Sequence, residues 1–136
     1  MKANTLPQIV NPAPLPDPSP NGYSTAVIAP ASARLAFISG QGGQDHTGAL
    51  SPDFVGQVRQ AYDNLRTALE GLGAGPERVV KLTTYVVDHD PSKLGSLTEA
   101  EITMFGDRLP AQTLVGVPAL ALPSMLFEVE AVVALD

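Results

Sequence analysis

The chain has 136 residues, of which 44% are hydrophobic and 16% charged, with no cysteine and a formal net charge of -6. This size and balance fit one compact domain whose core needs no staples, and the missing cysteines exclude a disulfide framework, a thiolate nucleophile and any cysteine-ligated zinc or iron-sulfur site. The eight basic residues are scattered rather than clustered, no apolar stretch reaches membrane-spanning length, and the first ten residues lack a signal-peptide pattern; together these point to a cytoplasmic protein that binds neither nucleic acid nor membrane.

Six prolines fall between Pro7 and Pro20. Their fixed φ and missing amide donors bar both helix and central strand, so residues 1–22 read as an extended lead-in and residues 23–136 as the domain. The apolar runs Ser24 to Ala29 and Arg34 to Ser39, separated by Pro30-Ala31-Ser32-Ala33, read as a hairpin, and Gly40-Gln41-Gly42-Gly43 breaks its second strand. Phe54, Val58, Ala61, Tyr62, Leu65, Ala68, Leu69 and Leu72 then recur at spacings of three and four, one stripe of an amphipathic helix capped by Ser51-Pro52-Asp53 and ended by Gly71, Gly73 and Gly75. Val79 to Val87 is a β-branched strand. A second helix is expected from a Ser92 cap to about Phe105, on a thinner stripe of Leu94, Leu97, Ile102 and Phe105. Gln112 to Val117 and Phe127 to Leu135 are the last two strands, joined by the connection from Pro118 to Pro123.

The order strand, strand, helix, strand, helix, strand, strand predicts an α+β fold. Each helix is a crossover long enough to join parallel strands, and such crossovers share one hand, so both helices lie on one face of a single mixed sheet. The other face is then uncovered, although both parities of the third strand are apolar, with Val80, Leu82 and Val86 on one and Val79, Tyr85 and Val87 on the other. An apolar face of that size implies a homo-oligomer packed sheet to sheet.

Pro110-Ala111-Gln112-Thr113-Leu114-Val115-Gly116-Val117, then Leu122-Pro123, then Phe127-Glu128-Val129-Glu130-Ala131-Val132 resembles the YjgF/RidA family pattern of Pro-Ala-Arg-Ser/Thr, a strand, and a closing strand reading Val-Glu-Ile-Glu-Ala-Ile. Ile38-Ser39-Gly40-Gln41, Gln60 to Leu65 and Val80 to Val86 fit the same template, which spans about Tyr23 to Leu135. The resemblance implies a chorismate-mutase-like two-layer fold and a homotrimer with a small-molecule cleft between each pair of subunits. It also implies hydrolysis of reactive 2-imino acids to 2-oxo acids and ammonia, by water, with no metal and no cofactor. Tyr23, Gly40, Gln112, Thr113 and Glu128 match cleft positions, and Ser96 aligns with an asparagine common near the start of the second helix. Glu128 is the candidate catalytic residue: it shares a strand face with Glu130, and one carboxylate there could orient the attacking water.

This chain departs from the pattern where deaminating members carry arginine after Pro-Ala and it carries Gln112. A guanidinium grips a carboxylate through two charge-assisted hydrogen bonds, each worth about 1.5 to 3 kcal/mol, and an amide offers neither the charge nor the fork. Arg108 lies four residues upstream, outside the motif, and the cysteine found two positions after the arginine in many members is Leu114. The only histidines, His46 and His89, have no partner at ligand spacing, the glycines of 40–43 lack phosphate-loop spacing, and no serine sits in a nucleophile elbow. The expectation is a trimer that binds a small metabolite and acts as a deaminase-type hydrolase on an imine, enamine or related C=N compound other than a simple 2-imino acid. The alternatives are a non-catalytic regulatory binding trimer and, against the acidic balance, a ribonuclease.

Overall fold

The computed structural model describes residues 6–136. The first five residues of the expected lead-in lie outside the described residues. Eight elements follow in order: β1 (Gln8–Val10), β2 (Ala26–Ile28), β3 (Arg34–Gly42), α1 (Phe54–Gly71), β4 (Val79–Val87), α2 (Leu94–Phe105), β5 (Ala111–Val117) and β6 (Phe127–Leu135). The main sheet has the order β3-β6-β4-β5, with β4 and β5 parallel and the other pairs antiparallel. This is the α+β, two-layer arrangement expected from the element order, with α1 and α2 together on one face.

α1 forms where the periodicity places it, and Asp53 caps it by accepting from the Gly56 amide at 3.0 Å. Its buried stripe of Val58, Ala61, Leu65 and Leu69 meets the inward residues of the sheet, Leu82 and Val86 of β4 and Phe127, Val129 and Val133 of β6. Phe127 also takes the edge of Phe54 and the tilted ring of Tyr62. Gln57 is buried but fully engaged: its Nε2 donates to the Ser51 and Ser124 carbonyls and its Oε1 accepts from the Leu126 amide, tying the start of α1 to the start of β6.

Four local expectations are corrected. The glycines from Gly40 do not end the strand: β3 runs on to Gly42, with Gln41 and Gly42 still paired to β6 after a register shift. The hairpin of β2 with β3 does not form; the turn is present, with Ala33 N donating to Pro30 O, but β2 pairs with β1 in a separate two-stranded sheet. A turn fixes the reversal and not the partner, and Gln8-Ile9-Val10, free of proline between Pro7 and Pro12, offers the amides that the lead-in otherwise lacks. Ser92 is not the cap of α2: Asp90 accepts from the Ser92 amide at 2.8 Å, and a single turn over Pro91–Lys93 precedes the helix. The buried stripe of α2 is Leu97, Glu101, Met104 and Phe105, while Leu94 and Ile102 stay 45% and 42% exposed.

The loop after β3 is held against α1 by Asn64, whose Nδ2 donates to the Gly42 and Gln44 carbonyls. Close approach at Gly43 leaves no room: a Cβ there would stand 2.6 Å from Cα and 2.7 Å from the carbonyl oxygen of Gln57. Both obstacles are backbone, so neither can rotate aside. Gly43→Ala is expected to cost about 1–3 kcal/mol, seen as a lower urea midpoint. An unchanged midpoint would show that the loop lifts from α1 freely.

Candidate functional site

The sheet face away from the helices carries most of the chemistry. Register places Tyr85 of β4 opposite Glu128 of β6, and Thr83 opposite both Glu130 and Thr113 of β5. Tyr85 donates its hydroxyl to Glu130 Oε1, and that bond, with some burial and the charge of both glutamates, raises the phenol above its usual range. At the far end Lys81 Nζ donates to Thr113 Oγ1 at 2.9 Å. Phe37 and Leu35 of β3 complete the face and are 74% and 52% exposed.

Gly40 and Glu128 are brought together by the register shift between Ile38 and Gln41, which turns the Gly40 backbone toward the β6 side chain. A Cβ at Gly40 would lie 2.2 Å from Glu128 Oε1 and 2.8 Å from its Cγ, so only glycine lets the carboxylate rest there.

Tyr23, Gln112 and Thr113 form a second group at the β5 edge. The segment before β2 is fixed there by a bridge from Ser24 to Ala111, with Ser24 N donating to Pro110 O at 2.9 Å and Ser24 Oγ to Leu109 O. A groove of about 360 Å³ is lined by Tyr23, Lys81, Gln112 and Thr113, with Leu15 and Pro16 closing one wall. A cavity of about 380 Å³ on the helix side is lined by Tyr23, Leu97, Thr98, Glu101, Gln112 and Leu114. Gln112 alternates with Thr113 along β5 and turns toward α2, where its Nε2 donates to Glu101 Oε2 at 2.8 Å. Its Oε1 is buried without a partner, a state that costs about 1–3 kcal/mol.

Glu101 is the residue that the sequence reading missed. It is 2% exposed, and burial raises its pKa from 4.5 to about 8 against the opposing hydrogen bond from Gln112. Its spacing four residues from both Leu97 and Phe105 was the available signal: a glutamate in register with the core stripe rather than on the wet face. The same charge, after burial, pushes the Tyr62 hydroxyl well up.

The groups stand apart within one chain. Glu128 and Gly40 lie on the β3–β6 side and Thr113 two strands away on β5. Ser96 joins neither: it lines a groove of about 310 Å³ between α1 and α2 with Arg59, Tyr62 and Arg66. Arg108 turns from the cavity and donates to the Pro7 carbonyl. Among the described residues no cluster of His, Asp and Glu could hold a metal ion, and no helix is long and apolar enough to cross a membrane.

Residues 16–135 match the family model described as Endoribonuclease L-PSP. The chain is 33% identical over 99 residues to the RutC family protein YjgH of Escherichia coli K12, covering 73% of each, and 33% identical over 118 residues to the RutC family protein PH0854 of Pyrococcus horikoshii, covering 85% of this chain and 89% of that one. Among solved structures it superposes on YyfB of Yersinia pestis, a protein of unknown function of the conserved Rid family, with a TM-score of 0.89 at 36% identity, covering 95% of this chain and 98% of that one.

Proposed function

Because this chain belongs to the YjgF/RidA family, with its chorismate-mutase-like fold, we propose that it assembles as a homotrimer, binds a small metabolite in clefts between subunits, and hydrolyses a C=N compound other than a simple 2-imino acid. The observation that carries this reading is the division of the site. Gly40 with Glu128, and Tyr23 with Gln112 and Thr113, are separate half-sites in one chain, and packing the exposed sheet face of one subunit against the β5 edge of the next would set them opposite each other.

In such a cleft Glu128 is the acid placed to orient water toward the C=N carbon and to pass a proton to the departing nitrogen, while Gly40, with no side chain of its own, lets a ligand oxygen approach its amide. Gln112 supplies hydrogen bonding without charge. The engagement of its Nε2 by Glu101 leaves no positive fork at the position where deaminating members have arginine.

Turnover of 2-iminobutyrate is therefore expected to fall at least about a hundredfold below that of an arginine-bearing member, the equivalent of losing one or two charged hydrogen bonds in the transition state. Equal turnover would overturn the substrate class. With the compound that the protein does hydrolyse, Glu128→Gln is expected to lower kcat by about 10² to 10⁴. A second reading, a binding trimer without chemistry, is favoured by the same engagement of Gln112. A cleft ligand recovered unchanged after prolonged incubation would support it. Ribonuclease activity is not favoured, because the net charge of -6 and scattered basic residues give no track for a phosphate backbone.

A further inference from the structure

Glu101 is the only carboxyl side chain among the fully buried residues described, and it has one hydrogen-bond partner, Gln112 Nε2. Both side chains line the cavity of about 380 Å³ between α2, β5 and Tyr23, and the Gln112 Oε1 has no donor. One N–H of this amide is therefore committed to Glu101, while its buried acceptor has no partner. The cavity's other walls are Leu94, Leu97, Leu114 and Thr98, the last with its hydroxyl already donated to the Asn21 carbonyl.

We propose that Glu101 determines the ligand class of the Gln112 subsite: by engaging the amide through its N–H it leaves a lone carbonyl acceptor in the cavity wall, which takes a neutral N–H donor of the primary carboxamide class and rejects a carboxylate. The inference rests on the reading that Gln112 belongs to a metabolite cleft, and it deepens that reading. A carboxylate has only acceptors to offer, so beside the Gln112 Oε1 acceptor would meet acceptor. A carboxamide brings the missing donor.

The pairing also sets what an arginine could do here. A guanidinium at position 112 would meet the same buried carboxyl that now holds the glutamine, and a buried carboxylate with a guanidinium in reach forms a charge-assisted pair rather than leaving the cation free. Restoring the family arginine alone would thus be neutralised from within the subunit. Glu101 is a specificity residue acting through Gln112, not one that touches the reacting atoms.

The test is a two-dimensional NMR titration of the full chain with butyramide and with butyrate, in the wild type, Gln112→Arg and the double variant Glu101→Gln/Gln112→Arg. The wild type is expected to bind butyramide at least about tenfold more tightly than butyrate, Gln112→Arg to gain no butyrate affinity, and the double variant to bind butyrate at least about tenfold more tightly than the wild type. Glu101→Met/Gln112→Arg carries the same expectation and serves should the first double variant fail to fold. If Gln112→Arg alone binds butyrate as well as the double variants, Glu101 is no determinant and the inference falls, although the cleft still binds metabolites. If neither compound moves any resonance in any of these proteins, the metabolite-binding reading falls with it.

Discussion

Raising the pH from about 5 to about 9 is expected to lower the unfolding free energy by up to about 4 kcal/mol, and Glu101→Gln is expected to remove that loss. The folded carboxyl holds its proton to about pH 8, because burial in the stripe of α2 penalises the anion, whereas an exposed glutamate releases it near 4.5. Between those values the unfolded chain binds fewer protons than the folded one, so stability falls as pH rises. The contribution is fully present below about 4.5 and gone above about 8, a slope near 1.4 kcal/mol per pH unit within the window. This is the opposite of the usual carboxylate behaviour. Asp17, Asp45 and Asp90, whose hydrogen bonds to serine, threonine and backbone groups hold their pKa values below the usual range, titrate outside that window. Glu101→Gln keeps an oxygen for the Gln112 Nε2 and cannot ionise, so it should be more stable than the wild type at pH 9 and similar at pH 5. Urea unfolding of both proteins at fixed protein concentration decides the matter. A wild type equally stable at pH 6 and pH 9 would show that the buried carboxyl is not held neutral.

On the trimer proposed above, Phe37→Asp is expected to break the assembly and leave a folded monomer. Phe37 contributes nothing to the core, standing 74% exposed on the face opposite the helices beside half-exposed Leu35. Burying such a ring between subunits is worth about 1.5–3 kcal/mol, and an unpaired carboxylate in its place costs several more, once at each of three equivalent interfaces. Sedimentation velocity reads the state, and far-ultraviolet circular dichroism shows that the protomer survives. Ile102→Asp, a comparable change on the wet side of α2, should leave the assembly intact. A trimeric Phe37→Asp protein would place the subunit contact elsewhere, and the divided site would then need another explanation.

Much of the fold could be read from residue spacing. The stripe from Phe54 to Leu69 defines α1, and the β-branched runs define β4 and β6, because in each the core-facing period is unbroken. The second helix was legible in extent but not in phase. Leu94 and Ile102 were reasonable members of an apolar stripe, yet Glu101 holds the position between Leu97 and Phe105, and hydropathy cannot show a charged residue buried by choice of partner. Strand pairing was legible only in part, since β1 and β2 are three residues each and which of several short edges they join is settled by tertiary geometry. Of the candidate site, Gly40 and Glu128 were identified by resemblance. Their contact, however, depends on a register shift that no local spacing records.

The proline-rich lead-in adds nothing to the core, yet Leu15, Pro16, Pro18 and Tyr23 form one side of the space around Gln112 and Thr113. It is fastened at several points: β1 on β2, the Asn21 carbonyl on Thr98, the Pro7 carbonyl on Arg108, and Ser24 on Pro110. A strap of residues with few accessible backbone states loses little entropy when laid in place, so this boundary of the recess is stiff at low thermodynamic expense. Recess and scaffold are consequently separable in inheritance: the strap can be exchanged to reshape what fits while every residue that folds the sheet and helices is left alone.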